Sequence, residues 1–313
     1  MIPRTLKGTS LWKDAWHRLS RNRPAIVSLV VIIVILLLCF IGPFLPFVKS
    51  PTIINLGNAA AAPSIEHWFG TDSLGRDLFS RVLYGGQVSL LVGLVATAVA
   101  VCIGVVYGAV AGYAGGKIDD LLMRFVDILF SLPFLVLVIL FALVVDKPAS
   151  EFTEWVIRVT GFARNRVAPI TTLIPLFIAI GAIGWLTIAR IVRAQVMAVK
   201  KQDFVEAAVS LGLGRSRILF RHILPNVIGP IIIYTTLAVP GIMLLESVLS
   251  FLGLGVKPPN SSWGILIKEG ADRMETSWLM LFFPSFFFAS TLFALNFLGD
   301  GLRDSLDPKS SKN

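Results

Sequence analysis

The residues best suited to recognition chemistry are Asp203, Phe204, Glu206, Ala207, Ala208, Leu211, Gly212 and Arg215, in one polar, basic interruption between two apolar runs. A carboxylate at Glu206 offers an anion to a partner's basic group. The adjacent Ala207 and Ala208 remove bulk, so a partner can approach the backbone closely. Asp203 is read as a helix cap, with Glu206 three residues later completing a capping box. Phe204, Ala208 and Leu211 fall at i, i+4, i+7 on one face of the predicted helix. Gly212 and Gly214 allow left-handed turns that stop it. A second helical run, 216–224, contains His222 and Leu224 and ends at Pro225, which suits the first turn of a long helix.

Enzymatic sites are missing from the pattern. His17, His67 and His222 are too scattered for a catalytic or metal cluster, so no metal ligand set is assigned. Cys39 and Cys102 lie inside apolar runs and make no disulfide frame. Gly115-Gly116-Lys117-Ile118 resembles a phosphate loop only superficially: Ala111 replaces its first glycine and Ile118 its hydroxyl. Gly212-Leu213-Gly214 and Gly253-Leu254-Gly255 lack the third glycine of a dinucleotide fingerprint and read as helix ends.

The elements around these residues belong to a membrane. The chain of 313 residues is 55% hydrophobic and 15% charged, whereas a soluble domain carries about a quarter charged residues. The net charge of +9 lies in loops between apolar runs, which suits lipid contact and orientation rather than nucleic acid. Apolar runs at 25–41, 88–111, 128–145, 172–189, 227–245 and 278–298 are each long enough to span a bilayer. The expected fold is therefore an all-α integral membrane protein with six transmembrane helices. The first run is too long for a secretory signal and is read as an uncleaved span.

Lys and Arg set the orientation. With the N-terminus inside, the inner segments hold eighteen of them in 89 residues, and the outer segments ten in 93. Both termini and the 203–226 loop are therefore expected in the cytoplasm, with the protein multi-pass in the cytoplasmic (inner) membrane. The segment 146–170 goes against this bias, and 151–159 reads as a short amphipathic helix on the outer surface.

Inside the spans, Gly104, Gly108 and Gly112 form a smooth stripe for close helix packing, against a partner subunit in one reading. Pro133, Pro230 and Pro240 predict kinks. Arg124 and Asp127 are expected to pair with each other, while Arg190 and Arg193 are expected at headgroup level. Glu246 follows an apolar run and has two readings: a contact on the transport path, or a structural hydrogen bond near the outer boundary.

The 203–226 stretch resembles the EAA loop of ABC importer permeases: Glu-Ala-Ala, three residues, Gly, nine residues, then Ile-x-Leu-Pro. Glu206, Ala207, Ala208, Gly212, Leu224 and Pro225 match, and His222 stands in place of Ile. The segment 68–77, read as a turn-rich cap, the stretch 246–264 including Pro258-Pro259, and the tail 296–308 extend the likeness. It is most similar to the C-type permease subunit of dipeptide and oligopeptide importers, a group that includes nickel importers.

This resemblance implies a type I ABC importer permease fold with a cytoplasmic coupling helix. The implied parts are a cytoplasmic segment 1–24, a first span with outer loop over 25–87, a five-span core over 88–300 containing the 203–226 coupling loop, and a cytoplasmic tail 301–313. The implied partners are a second permease subunit completing a heterodimer, two ATP-binding subunits carrying ATP and Mg, an extracytoplasmic solute-binding protein and membrane lipid. This chain itself would bind no cofactor and catalyse no reaction. The cargo would be a peptide, with nickel or another small solute as the alternative. The rival from another class, an ion-driven secondary carrier, would carry inverted repeats and midplane charges. Here no clear repeat is seen, and the charges lie near the ends of the spans.

Overall fold

The computed structural model describes residues 11–257 and 260–306. Residues 1–10 of the N-terminal segment, Pro258, Pro259 and the tail beyond 306, all invoked above, lie outside the described residues.

The described chain is helical, and its only β contact is an isolated bridge between Thr71 and Asp77. A short α1 (Leu11–Leu19) leads into α2 (Arg23–Phe40), capped by the side chain of Asn22. An irregular stretch follows, with single turns at Gly42–Phe44 and Leu56–Asn58. Asp77 then starts α3 (Leu78–Ala114, 37 residues) by accepting a hydrogen bond from the Ser80 N–H. After α4 (Gly116–Ser131) come α5 (Phe134–Thr160), α6 (Arg164–Thr171) and α7 (Ile174–Lys200). Next are α8 (Asp203–Ser210), α9 (Arg215–Ile218), a π-helical turn at Leu219–Ile223 and α10 (Leu224–Phe251). The described chain ends with α11 (Trp263–Ala271) and α12 (Leu279–Leu306).

Five helical runs are long and apolar enough to cross a membrane, and α4 with α5 makes a sixth if the bent pair counts as one span. The kink expected at Pro133 within 128–145 is a turn of 96° between the two helices. The cause is local: Pro133 cannot donate a helical hydrogen bond and forces Leu132 into an extended conformation at φ −85°, ψ 145°. The separate surface helix expected at 151–159 is corrected. It is the continuation of α5, which runs on until Gly161 turns left-handed at φ +68°.

The core seam is α3 against α7. A Cβ on Gly108 would lie 2.3 Å from the Ala189 carbonyl oxygen, and one on Gly112 would lie 2.7 Å from that of Arg193. The glycine stripe therefore packs on this chain's own α7, correcting the partner-subunit reading. Ion pairs tie α4 to the same helix. Arg193 grips Asp119 through two contacts of 2.5 Å, and Arg190 bonds Asp127 at 2.6 Å with its guanidinium over Phe130. Arg190 and Arg193 thus sit on carboxylates, and Asp127 pairs across helices rather than with Arg124. A second cluster joins α2, α11 and α12 to the start of α3 around Trp263, whose indole N–H donates to the Val82 carbonyl at 2.9 Å.

Candidate functional site

The two ends of α10 define two sites. A helix of 28 residues at 1.5 Å per residue separates them by about 42 Å.

The near end carries α8. Here the helix starts one residue earlier than the capping-box reading requires: Gln202 is the N-cap, and no side chain caps the helix. Asp203 and Glu206 instead occupy its first turn, where negative charge complements the helix dipole. This register turns Val205 and Ala208 into the core alongside Ile218 and Leu219. Phe204, Glu206, Ala207 and Leu211 are left exposed, Leu211 by 79% against 4% for Ala208. The expected face of Phe204, Ala208 and Leu211 is therefore split, and Ala207 alone of the alanine pair is open to a partner. Packing decided this, because an eight-residue helix with apolar residues on both sides can rotate to bury either one.

Gly212, at φ +70°, ends the helix, and a Cβ there would touch nothing within 4 Å. Its N–H donates to the Val209 carbonyl at 2.9 Å, and that of Leu213 to the Ala208 carbonyl at 3.2 Å. Gly214 is not left-handed; it precedes α9 in an extended conformation at φ −64°, ψ 146°. Arg215 is exposed in the first turn of α9. The predicted run 216–224 does not stop at Pro225. The π turn carries the chain from α9 into α10 without a break, which accommodates the missing N–H of Pro225. His222 is half-buried, and its carbonyl accepts from the Asn226 amide at 2.6 Å; Leu224 is half-buried and Pro225 exposed.

Glu246 belongs to the far end and is not brought near α8. It is fully buried and accepts hydrogen bonds from Ser89 at 3.1 Å and Ser250 at 2.6 Å. Ser262 reaches Ser250 at 3.3 Å, and the Trp263 N–H donates to Ser89 at 3.1 Å. This knot joins α3, α10 and α11, matching the structural reading of Glu246.

A larger ionic network at the same end escaped the sequence reading. Asp72, fully buried, accepts from Arg76 Nε and from Arg81 Nη1, both at 2.6 Å. Arg81 also grips Glu269 of α11 at 2.5 and 3.1 Å. Beside it, Asp77 bonds both Ser80 and His67. The turn-rich cap predicted over 68–77 is thus the tie that fixes the irregular stretch to α3 and α11. Its acids and arginines were visible in the sequence, but Glu269, 188 positions from Arg81, carried no local signal. Among the described residues, no group of three or more His, Cys, Asp or Glu is arranged to hold a metal ion.

Comparison with known proteins gives two family matches. Residues 104–312 match the model for the binding-protein-dependent transport system inner membrane component. Residues 10–63 match the N-terminal TM domain of oligopeptide transport permease C. The chain is 47% identical over 305 residues to the oligopeptide transport system permease protein OppC of Haemophilus influenzae, covering 97% of this chain and 90% of that one. It is 40% identical over 304 residues to the dipeptide transport system permease protein DppC of Bacillus subtilis, covering 96% and 86%. The glutathione transport system permease protein GsiD of Escherichia coli O6:K15:H31 is 35% identical over 298 residues, covering 95% and 90%.

Proposed function

The chain belongs to the family of binding-protein-dependent transport system inner membrane components, and we propose that it couples a partner's ATP hydrolysis to peptide import through α8. It is a multi-pass membrane permease subunit of a peptide importer rather than an enzyme. The observation that carries the coupling role is a helix seated on the core by Val205 and Ala208, with Phe204, Glu206, Ala207 and Leu211 turned outward. An anchored inner face transmits force, and an open outer face receives it.

In this reading two ATP-binding subunits, carrying ATP and Mg, dock against α8 from the cytoplasm, with Asp203, Glu206 and Arg215 at the rim of the contact. His222, Leu224 and Pro225 close the loop. A second permease subunit completes the path, and an extracytoplasmic solute-binding protein delivers peptide to the far end. The Lys and Arg bias supports this orientation, with both termini cytoplasmic. Segments 1–24, 25–87, 88–300 and 301–313 serve as the cytoplasmic lead, the first span with its outer loop, the core permease and the tail.

Motion at α8 has a rigid route inward. Lys201 and Gln202 alone separate α8 from α7, and α7 is locked to α3 by the glycine seam and by Lys200, whose ammonium donates to the Tyr113 carbonyl at 2.6 Å. A docked ATPase pair that closes would bias two packings of this bundle.

Replacing Gly212 by Leu tests the coupling. It strains one left-handed residue by about 1–2 kcal/mol, and its Cβ has no neighbour within 4 Å. The variant should insert in the membrane, bind the ATPase and hydrolyse ATP, yet lose peptide uptake in proteoliposomes. Normal uptake would contradict the coupling role of this turn.

A further inference from the structure

The far end holds a cavity of about 530 Å3, within the size range of small-molecule sites. Its walls come from Pro51 and Thr52, the start of α3, and the chain from the end of α10 through α11. Four cations line it, and three are already engaged. Arg76 and Arg81 hold Asp72 and Glu269, while Lys257 bonds Asp146 at 2.6 Å. Lys268 differs: it is half-buried, and no carboxylate lies within ion-pair distance of it among the described residues. Asp272 stands one helical turn further on, exposed at the cavity's edge.

A second group in the wall lacks a partner. Ser261 is 6% exposed, and its buried hydroxyl makes no hydrogen bond. Its neighbour Asn260 does not serve it: that side chain is bonded instead to Tyr84, Thr172 and the Pro169 carbonyl. A buried hydroxyl without a partner is unfavourable, and so is an ammonium drawn partly out of water. One ligand satisfies both: a small anion with two acceptor oxygens. Resting on the peptide-import reading above, we infer that this cavity is a transit site for the C-terminal carboxylate of the incoming peptide, held by Lys268 with Ser261 as donor. Asp272, of opposite sign, then faces the ammonium end of the same zwitterion.

The test uses the assembled transporter in vesicles, with Thr52→Cys at the cavity mouth and Cys102→Ser to remove the exposed native thiol. A charged thiol reagent modifies Cys at position 52, and trialanine is the probe. Trialanine should slow the labelling several-fold, while trialanine amide, which lacks the carboxylate, should not. Adding Lys268→Met should abolish the protection, and Lys268→Arg should restore most of it. No protection by trialanine, equal protection by the amide, or protection that survives Lys268→Met would each overturn the assignment. Uptake of trialanine by the same vesicles, measured in parallel with the binding protein added, separates this outcome from failure of the import reading itself.

Discussion

At the far end of the bundle, charged side chains close over one another: Asp72, Arg76, Arg81 and Glu269 in one network, Glu246 with Ser89 and Ser250 in another. At the near end, α8 has a buried apolar underside and an outer face of Phe204, Glu206, Ala207 and Leu211 whose side chains make no hydrogen bond or ion pair among the described residues. At the first end these two networks bond their charged groups within the chain and so fix an irregular stretch against α3 and α11. The second leaves apolar and charged groups to water, which is unfavourable for an isolated chain and suits one that is completed by another protein. The proposed coupling calls for this asymmetry: a grip where force would arrive, and a fixed frame on the opposite side.

The strongest way to break the contrast is Arg81→Met. It removes the more buried of the two arginines that hold Asp72 and Glu269, and removing one partner of a buried ion pair costs up to about 3–5 kcal/mol. Thermal unfolding of the purified chain should fall sharply, and limited proteolysis should cut first within 45–77. Next comes Gly108→Leu, which attacks the seam joining the two ends. Its Cβ alone would meet the Ala189 carbonyl, and overpacking of this kind costs about 1–3 kcal/mol. Lower thermal stability together with weakened coupling of ATP hydrolysis to transport is expected. The smallest effect on stability belongs to Leu211→Ser at the grip, within about 0.5 kcal/mol for an exposed site. Co-purification of the ATPase should nonetheless drop. Unchanged ATPase recovery would show that the outer face of α8 is not the contact.

The sequence made the near end readable because its signals are local. The alternation of polar and apolar residues marked α8, and Gly212 marked its end, as the left-handed φ bears out. The register did not follow from the same signals, since Val205, Val209, Phe204 and Leu211 offer apolar residues on several sides. Tertiary packing selected Val205 and Ala208. Pro133 marked a break in the third span, but not the pinning of α4 to α7, whose ion pairs join residues 63 and 74 positions apart. The far end was the least legible part. Its network links residues 188 positions apart, and Ser261 acquires meaning only once the fold has removed its partners.

The most direct test of the central claim is Ala207→Cys, a small change on the exposed face of α8. The assembled transporter, with Cys102→Ser, is exposed to a bulky, membrane-impermeant thiol reagent in intact cells and in inverted vesicles. Labelling should occur only in inverted vesicles, should be blocked by bound ATPase, and should abolish ATP-driven peptide uptake. Labelling of position 207 in intact cells, or full transport after modification, would contradict the account.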